Sequence, residues 1–152
     1  MDILFDMIPD LDDELPPAVN NDDVVRFFVI GDYGELSSYF SIIETTSLMN
    51  KMAGDKNFSH IITAGDNFYS DGITNINYRF KPWFVTSLFR QGYIEKLPIY
   101  PTLGNHDCHV DYRNEILYSD YNAQWNMESD YYELITPLKD VQGKSSNSSN
   151  GE

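Results

Sequence analysis

Apolar and polar positions fall into alternating blocks through the middle of the chain. Residues 24–30 are β-branched, aromatic and nearly all apolar, the pattern of a strand buried on both faces. A Gly-polar turn at 31–34 breaks it. From residue 37 to 53, apolar groups recur at Tyr39, Ile42, Ile43, Thr46, Met49 and Ala53, a helical spacing that predicts packing on a sheet. A second strand is expected over 58–64, a less regular helix interrupted near Pro82 over 77–90, and a third strand over 97–103. A helix at 112–122 and a short strand at 131–135 complete the prediction. The resulting β-α-β-α-β order favours an α/β fold, with parallel strands and helices on the sheet faces. Three strands make a half-sheet, so the domain is expected to be incomplete.

The flanks read differently. Residues 1–23 contain eight acids and no Lys or Arg, together with Pro9, Pro16 and Pro17, and are expected to be an acidic disordered leader. Ile3, Leu4, Phe5, Met7, Ile8 and Leu11 make a docking peptide for some partner the alternative to a solvated leader. A domain is expected over 24–138 and a low-complexity tail over 139–152, which ends in GKSSNSSNGE.

Over 152 residues, a 41% hydrophobic and 14% aromatic content suffices for a core, which excludes wholesale disorder. Ten basic residues against 24 acidic ones give a net charge of −14. That balance argues against electrostatic binding to nucleic acid or to an anionic membrane surface. A single cysteine, Cys108, excludes an intrachain disulfide and a cysteine-based zinc cluster. There is no membrane-length apolar run and no basic N-terminal signal region, so a cytoplasmic location is the default expectation.

The chemistry lies at the strand ends. Each predicted strand runs into a Gly-polar turn: GDYG at 31–34, GDNFY at 65–69 and GNHD at 104–107. In a parallel sheet, the carboxyl ends of adjacent strands open on one crevice where ligands bind. Asp32, Asp66 and Asn105 should therefore stand side by side. Carboxylates brought together repel, and no Lys or Arg adjoins these turns, so a metal ion is the natural counter-charge. Oxygen donors from Asp32, Asp66 and Asn105, with the Tyr69 phenolate, suit Fe(III), Mn(II), Mg(II) or Zn(II). Two such ions can clamp a phosphoryl group and activate water, with His106 near enough to bond the phosphate. Taken singly, Asp32 reads equally well as a turn former, Tyr69 as a packing residue and Asn-His-Asp as an ordinary turn. The three turns in order after three strands favour one shared site.

GDYG, GDNFY and GNHD, in this order, resemble the metallophosphoesterase superfamily, and the tyrosine of GDNFY brings the resemblance closer to the purple acid phosphatases of the tartrate-resistant type. Gln124-Trp125-Asn126-Met127 followed by Tyr131-Tyr132 is similar to a later segment of that family. The resemblance implies the first half of a metallophosphoesterase β-sandwich and a binuclear centre of Fe(III) with Fe(II), Zn(II) or Mn(II). It implies that Asp32 and Tyr69 bind the ferric ion, that Asp66 bridges the two ions, and that Asn105 binds the divalent one. It further implies that His106 contacts the phosphate, that Asp107 orients His106, and that the substrate is a phosphate monoester hydrolysed in mild acid.

The resemblance has a limit. Family members complete the site with three further histidines from the second half of the sheet, whereas this chain holds only His60, His106 and His109. His60, inside a strand, is expected to be a packed or partly exposed residue at the core edge. His109 is a poor surrogate ligand, because a flexible loop rarely orients one without support. The chain is accordingly expected to be the N-terminal half of a longer enzyme, with a truncated non-catalytic metal- or partner-binding remnant as the alternative.

Overall fold

The computed structural model describes residues 24–35, 37, 39–75 and 80–135. The leader and tail expected at 1–23 and 139–152 lie outside the described residues. Three strands, β1 (Phe27–Ile30), β2 (His60–Thr63) and β3 (Ile99–Pro101), form one parallel sheet in the order β1-β2-β3. Helix α1 (Tyr39–Asp55) connects β1 to β2; α2 (Phe80–Ser87) and a 3-10 turn at Ile94–Lys96 connect β2 to β3; α3 (Arg113–Tyr118) follows. This is the α/β order expected, and every strand pairs with its sequence neighbour. No described helix is long and apolar enough to cross a membrane.

Register places one apolar row across the sheet. Phe28 pairs with Ile61, which pairs with Ile99, and all three are buried. Against this face α1 presents Ile42, Thr46 and Met49, one helical turn apart, while Val85, Leu88 and Phe89 come from α2 and the residues just after it. Phe68, Tyr118 and Trp125 form an aromatic triangle with ring centroids 5.4–6.1 Å apart, and the Trp125 indole N–H donates to the Glu115 carbonyl at 3.1 Å.

Three expectations are corrected. First, β1 is buried on one face only: Phe27 is 45% and Val29 61% exposed, because alternate side chains point away from the helices. Secondly, Pro82 does not interrupt α2. It lies in the first turn, where the missing N–H would have no intrahelical acceptor anyway; residues 77–79 of the expected helix lie outside the described residues. Thirdly, 131–135 is not a strand. The segment that joins β3 is Trp125, in a parallel bridge with Ile99, because the Ile99 N–H donates to the Gln124 carbonyl at 2.7 Å and the Asn126 N–H to the Ile99 carbonyl at 2.8 Å.

Candidate metal centre

The ends of β1, β2 and β3 lie in register, so the three turns leave the sheet together. They are stitched by backbone bonds: the Asp32 N–H donates to the Gly65 carbonyl at 3.2 Å, and the His106 N–H donates to Asp66 Oδ1 at 3.0 Å. Asp32 and Asp66 both take left-handed backbone conformations, with φ of 55° and 53°. For a residue bearing a side chain this costs about 1 kcal/mol, least for Asn and Asp, and such conformations gather at functional sites. The turn aims both carboxylates at the same place.

That place is the Tyr69 hydroxyl. It donates to Asp32 Oδ1 at 2.6 Å and lies 2.9 Å from Asp66 Oδ2. Its proton is held far above the usual tyrosine range, first by the bond to Asp32, then by partial burial and the bond to Asp66. Gly104 makes the third turn fit. A Cβ there would stand 2.1 Å from Asp66 Oδ1, and a Cβ on Gly65, at φ 91°, would stand 2.7 Å from the Gly104 nitrogen. Asn105 is exposed, between Gly104 and His106, the two residues that enclose the Asp66 carboxylate.

Beside this cluster stand two imidazoles. His106 Nδ1 lies 2.6 Å and His109 Nδ1 3.1 Å from the same Ser70 carbonyl oxygen. A carbonyl only accepts, so both rings carry a proton on Nδ1. The rings meet edge to face at 4.9 Å, and His106 also lies 4.3 Å from the Tyr69 ring. His109, read from sequence as a loop residue of little use, is thus held at the site, with Asp71 3.7 Å from its Nδ1. His60 is elsewhere. It is buried in the sheet, stacked on Phe27 at 5.0 Å and meeting Tyr100 edge-on at 5.6 Å, and burial lowers its pKa.

Asp107, expected to orient His106, faces the other way. It is fully buried, and its oxygens accept from the backbone N–H groups of Asn67 (2.9 Å), Phe68 (3.1 Å) and Gly104 (2.8 Å). Its carboxylate ties the second turn to the third, while His106 is oriented by Ser70. Sequence reasoning passed over the buried polar layer around Asn67, Tyr33 and Glu115. Asn in a Gly-polar turn reads as a turn former, and nothing in the pattern marks Glu115 as buried.

Among the described residues there is no group of three His, Cys, Asp or Glu side chains set to hold a metal. The set here is two carboxylates and a phenol in mutual contact, with an amide residue adjoining. It fits a hard cation: one hydroxyl proton now lies between two carboxylates, and a cation there would neutralise both.

The sequence pattern of the calcineurin-like phosphoesterases matches residues 25–151. The chain is 29% identical to human tartrate-resistant acid phosphatase type 5 over 140 residues, covering 84% of this chain and 39% of that protein. It is 32% identical to purple acid phosphatase 3 of Arabidopsis thaliana over 95 residues, 62% of this chain and 25% of that one. The chain thus spans about two-fifths or less of the length of these relatives. Among solved structures, GAP50, described as the anchor in the inner membrane complex of Plasmodium, superposes with a TM-score of 0.55 at 23% identity over 71% of this chain and 35% of its own, a likeness of fold. With the three turns converging at the sheet edge and the family pattern spanning them, the chain belongs to the calcineurin-like phosphoesterases.

Proposed function

We propose that this chain carries the first half of a binuclear metal centre in an enzyme that hydrolyses phosphate monoesters in mild acid. The reading is supported above all by Asp32 and Asp66, 34 positions apart in the sequence, meeting at the Tyr69 hydroxyl. In it, Asp32 and Tyr69 would hold a ferric ion, Asn105 would hold a second ion, Fe(II), Zn(II) or Mn(II), and Asp66 would serve both. When bound, the ions supply Lewis-acid polarisation of phosphoryl oxygens and activation of water.

The chain's own residues do the rest. The left-handed turns and the shared Tyr69 hydroxyl hold the two carboxylates side by side, which lowers the cost of ordering them on binding. His106 donates from Nδ1 to Ser70, which leaves Nε2 free to face the substrate; as an imidazolium it donates from Nε2 to a phosphate or leaving-group oxygen. His109, in contact with His106, fixes the second ring at the same carbonyl.

A second reading, a non-catalytic chain that binds metal weakly or docks a partner, is favoured by the donor set. It offers oxygen donors, and His60 is committed to the sheet. The test is to load the full chain with Fe(III) and Zn(II) and to supply an aryl phosphate monoester in mild acid. Uptake and turnover that both disappear in Asp66→Ala support the enzyme. Uptake without turnover supports the second reading, and no uptake refutes the metal centre and leaves partner docking alone.

A further inference from the structure

Beneath the ligand turns lies a buried polar layer centred on Asn67, which has no exposed surface. Its Oδ1 accepts from the Thr63 hydroxyl at 2.6 Å and the Tyr33 hydroxyl at 3.1 Å. Its Nδ2 donates to the Thr102 carbonyl at 2.8 Å and lies 3.1 Å from Glu115 Oε2 and 3.2 Å from Asp107 Oδ2. Its backbone N–H donates to Asp107 Oδ1 at 2.9 Å. Each partner comes from a different piece of the site. Tyr33 follows Asp32, Thr63 ends β2, Thr102 follows β3, Asp107 lies two residues after Asn105, and Glu115 sits on α3.

We infer that Asn67 is the positioning residue of the centre, its carboxamide locking the three turns so that Asp32, Asp66 and Asn105 keep their mutual spacing. No other side chain of this size offers an acceptor on one side and two donors on the other. The donor side is required because Asp107 and Glu115 are both buried carboxylates. An apolar replacement would take the acceptor from the Thr63 and Tyr33 hydroxyls and one donor from the side of Asp107 and Glu115, while a carboxylate would add a third acceptor to two. The importance of the spacing rests on the metal reading of the turns; the lock itself belongs to the apo chain.

The test uses the full chain without metal. In Asn67→Asp, amide hydrogen exchange at Asp32, Phe68, Gly104 and His106 should quicken at least about tenfold, while Ile61 in β2 and Ala64 just after it, whose N–H donates to the Ile30 carbonyl, stay within about twofold of wild type. Zn(II) affinity should fall about 10- to 100-fold in parallel. Adding Glu115→Gln puts an amide donor opposite the new carboxylate at unchanged net charge, and should recover part of both losses. Equal acceleration everywhere, no acceleration at the turns, or no recovery in the double variant would overturn the inference. If Asn67→Asp does not fold, Tyr33→Phe, which removes one donor and no volume of note, should show the same turn-selective pattern at smaller amplitude; its absence likewise overturns the lock. Wild-type chain that takes up no Zn(II) defeats the metal reading alone, and the exchange pattern then decides the lock.

Discussion

The Tyr69 hydroxyl sits 2.6 Å from Asp32 Oδ1, a contact between residues 37 apart in the chain, and it is shared with Asp66 Oδ2 at 2.9 Å. One proton cannot fully satisfy two carboxylates. The sharing raises the Tyr69 pKa, so at neutral pH the apo chain keeps that proton, and a metal ligated by the phenolate must displace it. Affinity should therefore rise with pH, by about tenfold per unit for each proton released. Zn(II) and Fe(III) titrations by calorimetry across mildly acidic to neutral pH measure that slope. Tyr69→Phe should weaken binding about 10- to 100-fold and reduce the slope by about one proton. An unchanged slope would place Tyr69 outside the coordination shell.

Asp66 separates ligation from backbone strain. Its φ of 53° suits Asn almost as well as Asp, whereas Ala disfavours it by about 1–2 kcal/mol. Asp66→Asn should lose metal uptake by at least about 100-fold while unfolding in urea near the wild-type midpoint. Asp66→Ala should lose uptake and also about 2–3 kcal/mol of stability, since to the strain it adds the loss of the acceptor of the His106 N–H. Equal stability of the two variants would show that the left-handed turn carries no strain.

Much of this was legible in the chain. Apolar strands running into Gly-Asp, Gly-Asp and Gly-Asn turns predicted the parallel sheet and the one edge at which the three turns leave it, because strand ends in a parallel sheet must share a side. The burial of β1 was misjudged, since an unbroken apolar run does not say which face the helices cover. The role of Asp107 was misjudged for a different reason. Its carboxylate is taken up by the N–H groups of Asn67, Phe68 and Gly104, backbone donors that no side-chain pattern reveals. His109 was undervalued because its anchor, the Ser70 carbonyl, is a backbone atom that no side-chain pattern reveals.

Asp107 and His106 should therefore part company on mutation. Asp107→Ala leaves the N–H groups of Asn67, Phe68 and Gly104 without their acceptor, in a site with no exposure. A loss of at least about 3 kcal/mol is expected, at roughly 1–3 kcal/mol for each orphaned group. His106→Ala removes a half-exposed ring and should change stability by about 0.5 kcal/mol or less, with its effect confined to phosphate binding or turnover. Urea unfolding of both variants, beside inorganic phosphate binding to the metal-loaded chain, distinguishes the structural carboxylate from the functional imidazole. A mild stability effect for Asp107→Ala would mean that water replaces its oxygens.

Gly104 tests how closely the third turn must approach. In Gly104→Ala the new Cβ meets Asp66 Oδ1 at 2.1 Å and the Asp66 nitrogen at 2.3 Å, distances that no rotamer relieves because backbone is involved. Either Asp66 shifts or the third turn retreats, and both separate Asn105 from the Asp32–Tyr69–Asp66 cluster. Zn(II) affinity should drop at least about tenfold, a 1 Å displacement being enough at a coordinated site. A binding isotherm indistinguishable from wild type would mean that the turns can separate without consequence.

His60 gives the stability of the fold a dependence on pH. Burial between Phe27 and Tyr100 lowers its pKa below the ordinary 6.5, so the ring is neutral in the folded chain where the unfolded chain begins to bind a proton. Its contribution to stability is thus fully present above pH 6.5 and is lost as the pH falls from there toward the folded pKa. His60→Phe keeps the stack on Phe27 and the edge contact with Tyr100, and removes the titration; the Ser59 hydroxyl it leaves is exposed and bonds water, besides its 3.0 Å bond to the Arg26 carbonyl. Other groups titrate alike in the two proteins, so the difference between their stabilities isolates the imidazole. Urea unfolding from pH 8 to pH 5 should show wild type losing stability more steeply than His60→Phe below pH 6.5, with parallel curves above it. Parallel curves throughout would mean that the folded sheet accepts a charged imidazole at His60.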